Sequence, residues 1–157
     1  MTDLREDEVF ADLYPDEEKG EDKKRKKRLR STDMYITINL NESFLTMSTE
    51  RKLLFKNFAV NLFDRKGILS FMRDEMDPGN PLANIEKADI TWKPEVGKKQ
   101  NRLHLHAFVG IQHRGFYTFE ANQLRDEAEK VFGHAIYLNC KFGSSAHVRW
   151  MNYLNKS

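Results

Sequence analysis

The sequence predicts an α+β domain in which helices pack on a central antiparallel sheet, preceded by a charged tail. Four segments rich in β-branched, aromatic or alternating apolar residues indicate the strands. Two of these segments are joined by a short turn, which indicates a hairpin at the centre of the sheet. Apolar residues spaced three or four apart elsewhere indicate the helices. The order is strand, helix pair, strand, strand, helix, strand, helix.

The first half of the domain begins with a strand over Met34–Asn41. Ser48 is suited to cap an amphipathic helix that runs to Arg65. A second, shorter helix is expected over Ile68–Met76. Residues 77–81, Asp-Pro-Gly-Asn-Pro, are then predicted to form a loop, because Pro, Gly, Asn and Asp favour turns.

The second half contains the hairpin, one more helix and strand, and a final helix. Gly133 is a suitable C-cap for the third helix, and Ser144 or Ser145 for the N-cap of the last one, which is expected to run to the end of the chain. The predicted bounds are strand Glu86–Glu95, turn 97–101, strand Arg102–Gln112, helix Phe119–Phe132 and strand Ala135–Phe142.

Residues 1–31 are predicted to be a disordered tail, and residues 32–157 one folded domain. Residues 1–22 hold ten acids and two bases, a net charge of −8. Blocks of like charge repel one another and stay extended. The acidic part also holds four apolar residues at helical spacing: Val9, Phe10, Leu13 and Tyr14. They form either a docking motif for a partner or a stripe without a role.

Lys23 to Arg30 hold seven bases and no acid. Such a cluster is typical of a signal read by the nuclear import machinery, or of a nucleic-acid patch, and the alternative is a solvated charge run without a reader. We therefore expect the protein in the nucleus. Cys140 is the single cysteine, so no intrachain disulfide is possible, and no apolar run approaches the length of a membrane span.

His104 and His106 are the most informative residues of the chain. Separated by one residue in a strand, they point to the same face, about 7 Å apart along it. That geometry suits one divalent metal ion, while two solvent-facing histidines are the alternative. The opposite face is predicted to meet the core and carries Leu103, Leu105, Ala107 and Val109.

Hairpin register supplies a third ligand. With the turn centred between residues 99 and 100, His104 faces Glu95 and His106 faces Lys93 across the ladder. Two imidazoles and a carboxylate, with open positions left for water and phosphate, fit Mg²⁺ or Mn²⁺ in phosphoryl chemistry, and Zn²⁺ is also possible. Glu86 and Asp89, farther along the strand, are fallback ligands.

The last helix carries Tyr153 and Lys156, three residues apart and hence on one helical face. A tyrosine hydroxyl can attack phosphorus if a cation lowers its pKa or stabilises charge in the transition state. The alternative is that Tyr153 is a packing residue.

His104-Leu-His106 preceded by Glu95, and followed by Tyr153-Leu-Asn-Lys156, resembles the HUH endonuclease domain of replication initiators from small circular single-stranded DNA viruses, such as geminiviruses and circoviruses. The resemblance covers about residues 32–156, with strand Tyr35–Asn41 in the place of that family's first motif. It implies the RRM-like, ferredoxin-like topology of that family and its one-tyrosine subclass. It also implies a host nucleus as the location if the protein is viral.

The activity that the resemblance implies is nicking and joining of single-stranded DNA at a specific site, at an origin stem-loop, in rolling-circle replication. His104, His106 and Glu95 would hold the metal, and Tyr153 would become linked to a 5'-phosphate. Lys156 would orient the complex or stabilise charge near the tyrosine. The enzyme would thus be a metal-dependent endonuclease and nucleotidyltransferase.

Two features depart from the family. The stretch 42–85 is longer than expected for the compact viral domains. The chain also has no Gly-rich phosphate-binding loop with Lys-Ser/Thr, so we expect any helicase domain or oligomer partner to lie outside these residues.

Four basic residues are candidates for contact with DNA phosphates, with solvated surface side chains as the alternative: Lys98, Lys99 and Arg102 border the hairpin near the metal, and Arg149 lies one turn before Tyr153. Asn39 either contacts DNA bases or merely ends a strand. Two other functions remain open at this point. A non-catalytic module could present aromatics such as Tyr35 and Phe108 to single-stranded nucleic acid. A metal-dependent phosphodiesterase could use activated water and form no covalent adduct.

Overall fold

The computed structural model describes residues 28–79 and 82–155, which contain ten helices and strands. In chain order they are β1 Arg30–Ser43, α1 Thr49–Leu62, α2 Arg65–Leu69, β2 Met72–Asp74, β3 Ile85–Val96, β4 Arg102–His113, β5 Tyr117–Phe119, α3 Ala121–Phe132, β6 Tyr137–Phe142 and α4 Ser144–Leu154. No helix among these residues is both long and apolar enough to cross a membrane.

Four strands form the central sheet in the order β3-β4-β1-β6, and every neighbouring pair is antiparallel. β2 and β5 form a separate two-stranded antiparallel sheet. The predicted α+β class, with an antiparallel sheet and helices packed on it, is confirmed.

The main core lies on one face of the central sheet. Alternate residues of β1 and β4, such as Ile36, Ile38 and Leu105, are almost completely buried there. Helices α1 and α3 supply the other side of this core with Phe55, Ala59, Leu124 and Ala128. The period-two burial in the strands meets the helical stripes, as expected for two packed layers.

Helix α4 packs on the opposite face of the sheet. Ala146, Trp150 and Tyr153 of this helix form a second buried cluster with Tyr35 of β1, and Phe108 of β4 is half-buried against it. The sheet is therefore covered by α1 and α3 on one side and by α4 on the other. This arrangement brings Tyr153 to the face that carries the histidines.

The predicted hairpin register is confirmed. Glu95 of β3 pairs with His104 of β4, and Lys93 pairs with His106. The backbone N–H of Gly97 donates to the carbonyl of Arg102 over 2.9 Å and closes the turn.

Two predicted helix caps are confirmed and a third is wrong. The hydroxyl of Ser48 accepts a hydrogen bond from the Arg51 N–H over 3.1 Å, and Gly133 ends α3 with φ of 81°. Neither Ser144 nor Ser145 caps α4. Gly143, with φ of 84°, is the N-cap instead, because the sharp turn out of β6 needs a left-handed backbone that a serine would adopt only with strain.

The second helix differs most from its prediction. α2 ends at Leu69, and the following residues form β2, in which Met72 and Asp74 are buried and Arg73 is exposed. Pairing with β5 explains the change, because this strand exists only through a partner more than forty residues away. For the same reason Phe119, expected in a helix, ends a strand.

The remaining boundaries shift in both directions. Strands β1, β3 and β4 extend beyond their predicted bounds, whereas α1 ends at Leu62 rather than Arg65, α3 begins at Ala121 and β6 begins at Tyr137. Helix α4 ends at Leu154, with Asn155 as its C-cap, instead of running to the end of the chain. β1 begins at Arg30, so two residues assigned to the tail, Arg30 and Ser31, pair with β4.

Several predictions fall on residues that the structure does not describe. These are the tail over residues 1–27, which includes most of the basic cluster, the loop residues 80 and 81, and Lys156.

Candidate metal and nucleophile site

The two histidines lie side by side on the face of β4 that α4 partly covers. Their ring centroids are 6.1 Å apart and their planes differ by 11°. Both side chains are partly buried, while Leu105 between them points into the core with 1% exposure. The strand thus presents two parallel imidazoles on one face, as the alternation predicted.

Each histidine has its Nδ1 atom in a hydrogen bond with a fixed oxygen. Nδ1 of His104 lies 2.9 Å from the carbonyl oxygen of Arg102, so this nitrogen carries the proton and donates it. Nδ1 of His106 lies 2.8 Å from the hydroxyl of Tyr35. Metal-binding histidines usually have such a partner at the second nitrogen, because it fixes the tautomer and the ring orientation.

Glu95 contacts His106 rather than His104. Its Oε1 lies 3.0 Å from Nε2 of His106, although its backbone is in register with His104. The Glu95 side chain is 44% exposed and that of His106 is 13% exposed, so the carboxylate closes the solvent side of the imidazole. A cation at this point would meet one carboxylate oxygen and one imidazole nitrogen together.

Within residues 28–79 and 82–155, no three His, Cys, Asp or Glu side chains converge closely enough to hold a metal ion as they stand. The predicted set is nonetheless adjacent: Glu95 touches His106, and the His104 ring is the next ring along the strand. In each ring the Nδ1 atom already has a partner, the Arg102 carbonyl for His104 and the Tyr35 hydroxyl for His106. Nε2 is therefore the atom of each ring that would bind a metal ion, and in His106 this atom is the one that contacts Glu95. The donor chemistry of the three residues therefore fits a divalent cation with open positions.

Tyr153 lies against the same histidine. Its ring centroid is 4.3 Å from that of His106, at an interplanar angle of 33°. Tyr153 is 9% exposed, and this burial raises the pKa of its phenol, with the negative charge of Glu95 and the neighbouring Tyr35 acting in the same direction. The hydroxyl is consequently protonated at neutral pH.

A lysine that was not predicted to act at the site lies over the tyrosine. Nζ of Lys93 is 5.6 Å from the centroid of the Tyr153 ring, a cation–π distance. The hairpin register had already placed Lys93 opposite His106, which was the signal available in the sequence. Lys156, the cation that was predicted for this purpose, lies outside the described residues.

Tyr35 is the other participant that the site prediction missed. It is 4% exposed, burial raises the pKa of its phenol, and its hydroxyl contacts His106. Tyr35, Thr37 and Asn39 alternate with the apolar residues of β1, so they share the histidine face. That alternation was a readable signal, although the identity of the partner required the pairing of β1 with β4.

The five predicted DNA-contact residues lie at different places around this site. Asn39 pairs with His104 across the sheet, and its side chain accepts a hydrogen bond from the Asn41 N–H over 2.9 Å. Arg102 donates to the Asn41 side chain over 3.1 Å. Lys98 and Lys99 are exposed in the hairpin turn, and Arg149 is exposed on α4.

The fallback ligands do not join the site. Glu86 forms an ion pair with Arg114 over 3.0 Å, and Asp89 lies 3.7 Å from Lys87. Asp89 pairs with Gly110, four residues along β4 from His106, so neither carboxylate is adjacent to the paired imidazoles.

The chain has no match among protein-family models, among curated proteins or among solved structures. The geometry of the site and the chemistry of its residues are therefore the basis for any assignment of function.

Proposed function

We propose that this protein is a metal-dependent endonuclease that nicks and joins single-stranded DNA through a tyrosine nucleophile, with the fold and topology of HUH replication initiators. The observation that carries the proposal is the contact of the Tyr153 ring with the His106 ring, 4.3 Å between centroids at a tilt of 33°, with Glu95 bonded to that imidazole. A nucleophile and a metal-binding group are adjacent, although they come from a helix and a hairpin at separate places in the chain. A packing tyrosine would not require a carboxylate–imidazole pair beside it.

His104, His106 and Glu95 would hold Mg²⁺ or Mn²⁺. When bound, such an ion polarises the scissile phosphate and offsets charge that develops on its oxygens. The role of Tyr35 is to hold the His106 ring through the 2.8 Å bond to Nδ1. The Arg102 carbonyl does the same for His104.

Tyr153 would attack phosphorus with its hydroxyl oxygen. The new bond joins that oxygen to the 5'-phosphate, and the bond from phosphorus to the leaving 3'-oxygen breaks. The phenol loses its proton, the leaving oxygen gains one, and the products are a phosphotyrosine and a free 3'-hydroxyl. The same steps in reverse join the ends without an external energy source.

Lys93 would help Tyr153 lose its proton. Burial and the charge of Glu95 raise the pKa of the phenol, so the phenolate needs a compensating positive charge. The ammonium of Lys93 already lies over the ring and is the cation within reach among the described residues. This role would be additional to that of Lys156.

DNA is the substrate class favoured by the charge around the site. Lys98 and Lys99 on the hairpin turn and Arg149 on α4 border the histidine face. Exposed basic side chains near a site can contact the phosphates of a nucleic-acid backbone. The expected place of action is the nucleus, with the basic cluster at residues 23–30 read by the import machinery.

The direct test is a covalent-adduct assay. The full-length protein is incubated with single-stranded stem-loop DNA and Mn²⁺, and a slower protein band is sought on a denaturing gel. We expect the adduct with the natural sequence and with Tyr117→Phe, which removes a phenolic hydroxyl in the separate two-stranded sheet. We expect no adduct with Tyr153→Phe or in the presence of a chelator.

Other outcomes would assign another function. Cleavage that survives Tyr153→Phe would indicate a phosphodiesterase that uses activated water. Metal-independent binding without cleavage would indicate a nucleic-acid-binding module.

A further inference from the structure

The histidine face of the central sheet extends past the end of α4. Tyr153, the last buried residue of this helix, lies against His106, and the helix ends at Leu154. The next row of paired residues crosses all four strands, and we call it the outer row. It consists of Glu95, His104, Asn39 and Tyr137. Paired residues of antiparallel strands share a face, so the outer row continues the candidate site to the edge of the sheet.

Tyr137 places an exposed aromatic ring at the end of the outer row. It is 55% exposed. Leu138 and Cys140 pack against the main core, so the alternation along β6 puts Tyr137 on the histidine face. Neighbouring strands are about 4.8 Å apart, so the backbone of Tyr137, two strands away, lies about 10 Å from that of His104. One nucleotide, with its sugar and base, can span this distance.

A guanidinium is held beside the same row. Arg102 donates to Oδ1 of Asn41 over 3.1 Å, and Nδ2 of Asn41 donates to the Ala135 carbonyl over 3.4 Å. Asn41 has φ of 58° and lies at an irregularity in the pairing of β1 with β4. Such irregularities redirect side chains and are common next to active sites. Here the irregularity connects β1, β4 and the residues before β6, and it fixes Arg102 two residues from His104.

The chemistry of this surface fits a nucleotide better than an apolar protein partner. A tyrosine ring offers a stacking surface for any base, and a guanidinium binds phosphate oxygens through paired hydrogen bonds. Asn39, between Tyr137 and His104, is polar and gives an apolar partner nothing to bury. Lys141, exposed on the same face of β6, adds positive charge that complements a phosphate backbone.

We propose that Tyr137 and Arg102 bind one nucleotide of single-stranded DNA next to the scissile phosphate, with the base stacked on Tyr137 and the phosphate on Arg102. Asn41 is a positioning residue, because it acts through Arg102. The subsite rests on the proposed function for the strand that it binds, but its contacts require neither a metal ion nor attack by Tyr153. Because stacking accepts every base, the subsite fixes the position of the strand rather than reading its sequence.

The stacking is tested by binding of two short labelled strands of equal length to the full-length Tyr153→Phe protein in the presence of a chelator. One strand is oligothymidine, and the other has the same phosphates with an abasic sugar at every position. Tyr137→Ala should weaken the binding of oligothymidine about tenfold, as for the loss of one stacking residue, and leave that of the abasic strand unchanged. Tyr137→Phe keeps the ring and should bind both strands like the parent.

The phosphate contact is tested with the same two strands. Arg102→Gln should weaken the binding of both by the same factor, and lower the slope of log affinity against log salt concentration by about 0.7, the value for one phosphate on a single strand. Asn41→Gly keeps a residue that tolerates the left-handed φ and removes the side chain that holds Arg102. It should weaken binding too, without further effect when combined with Arg102→Gln; additive losses would contradict the positioning role.

Phe142→Ala is the matched control for Tyr137→Ala. Phe142 belongs to the same strand and is 50% exposed, but it pairs with Met34 of the main core and so lies on the other face of the sheet. Its replacement should leave the binding of both strands unchanged.

The subsite is overturned if Tyr137→Ala binds oligothymidine like the parent, or loses as much affinity for the abasic strand as for oligothymidine. An adduct that forms in the natural protein alongside either result would contradict the subsite and leave the nicking reaction standing. The expected losses in a protein that forms no adduct would support the subsite and contradict the nicking reaction. A parent that binds neither strand would contradict both.

Discussion

His106 connects every part of the candidate site. One nitrogen contacts Tyr35, the other contacts Glu95, and the Tyr153 ring lies against its ring at a tilt. A single imidazole thus links two strands and a helix. Its orientation is fixed by packing and by hydrogen bonds before any ion or substrate binds, which is the preorganisation that a catalytic site requires.

Replacing Tyr35 with phenylalanine tests whether its hydroxyl orients His106. The variant keeps the buried ring and removes the contact to Nδ1, together with the hydrogen bond to the Thr37 side chain. We expect Mn²⁺ to bind about tenfold more weakly, at the lower end of the effect of losing an outer partner of a metal ligand. Calorimetric titration measures the affinity, and Tyr117→Phe should leave it unchanged.

A methyl group at Gly97 should disturb the other histidine. A Cβ there would lie 3.1 Å from Cε1 of His104, so the imidazole would have to move by a few tenths of an ångström. We expect Gly97→Ala to reduce the rate of adduct formation while thermal stability changes little. Gly79→Ala is the matched control because nothing lies within 4 Å of its added Cβ, and equal loss of rate in both variants would contradict this account.

At the scale of single elements, local chemistry determined which predictions succeeded. The hairpin was predictable because a short turn between alternating strands fixes the register within one residue. Ser48 was predictable as a cap because its hydroxyl acts on the helix that follows directly. β2 was not predictable, because its three residues form a strand only by pairing with Tyr117–Phe119.

The two serine positions provide a test of the cap assignments. Ser48→Ala removes the acceptor of the Arg51 N–H, and we expect a loss of about 1 kcal/mol in the free energy of unfolding. Ser144→Ala should cost much less, because Gly143 and not Ser144 is the N-cap of α4. Urea denaturation of both variants measures the difference, and equal losses would contradict the assignment.

At the scale of the whole molecule, the sequence predicted which face of an element is buried better than it predicted which elements pack against one another. The alternation in β4 identified the core face, because Leu103, Leu105, Ala107 and Val109 are all buried. The packing of α4 on the histidine face was expected only through a family resemblance, since no local pattern specifies which side of a sheet a terminal helix covers. The contact of Lys93 with the Tyr153 ring follows from that packing, and the contact of Tyr35 with His106 follows from the pairing of β1 with β4, which is why both were missed.

A tertiary ion pair gives the fold a predicted pH dependence. Glu42 at the end of β1 contacts His134, after α3, over 2.6 Å, and also pairs with Arg51 of α1. A hydrogen bond to the Ala135 carbonyl and then the contact with Glu42 raise the pKa of His134. Burial opposes ionisation of Glu42, but its bonds with Arg51 and His134 outweigh it and lower its pKa.

The sign of the effect follows from these two directions. The raised pKa of His134 stabilises the fold below pH 6.5 and the benefit is lost as pH rises through the raised value. The lowered pKa of Glu42 stabilises it above pH 4.5 and the benefit is lost on acidification. We expect the stability lost in His134→Gln to be greatest near pH 5.5, and below about 1 kcal/mol because the pair is partly exposed.

Thermal unfolding of the parent and of His134→Gln between pH 4 and pH 8 measures this difference. His147→Gln serves as the control, since His147 is an exposed residue of α4 away from this pair. A difference that grows above pH 7 would contradict the assignment.

The most direct measurement of the central claim locates the covalent bond on the chain. After reaction with single-stranded stem-loop DNA and Mn²⁺, nuclease and trypsin digestion leave residues 150–156 as one peptide between Arg149 and Lys156. We predict that mass spectrometry finds a nucleotide linked through phosphate to Tyr153 in this peptide. DNA that is cleaved while the peptide is unmodified, or a nucleotide linked to a different residue, would contradict the account.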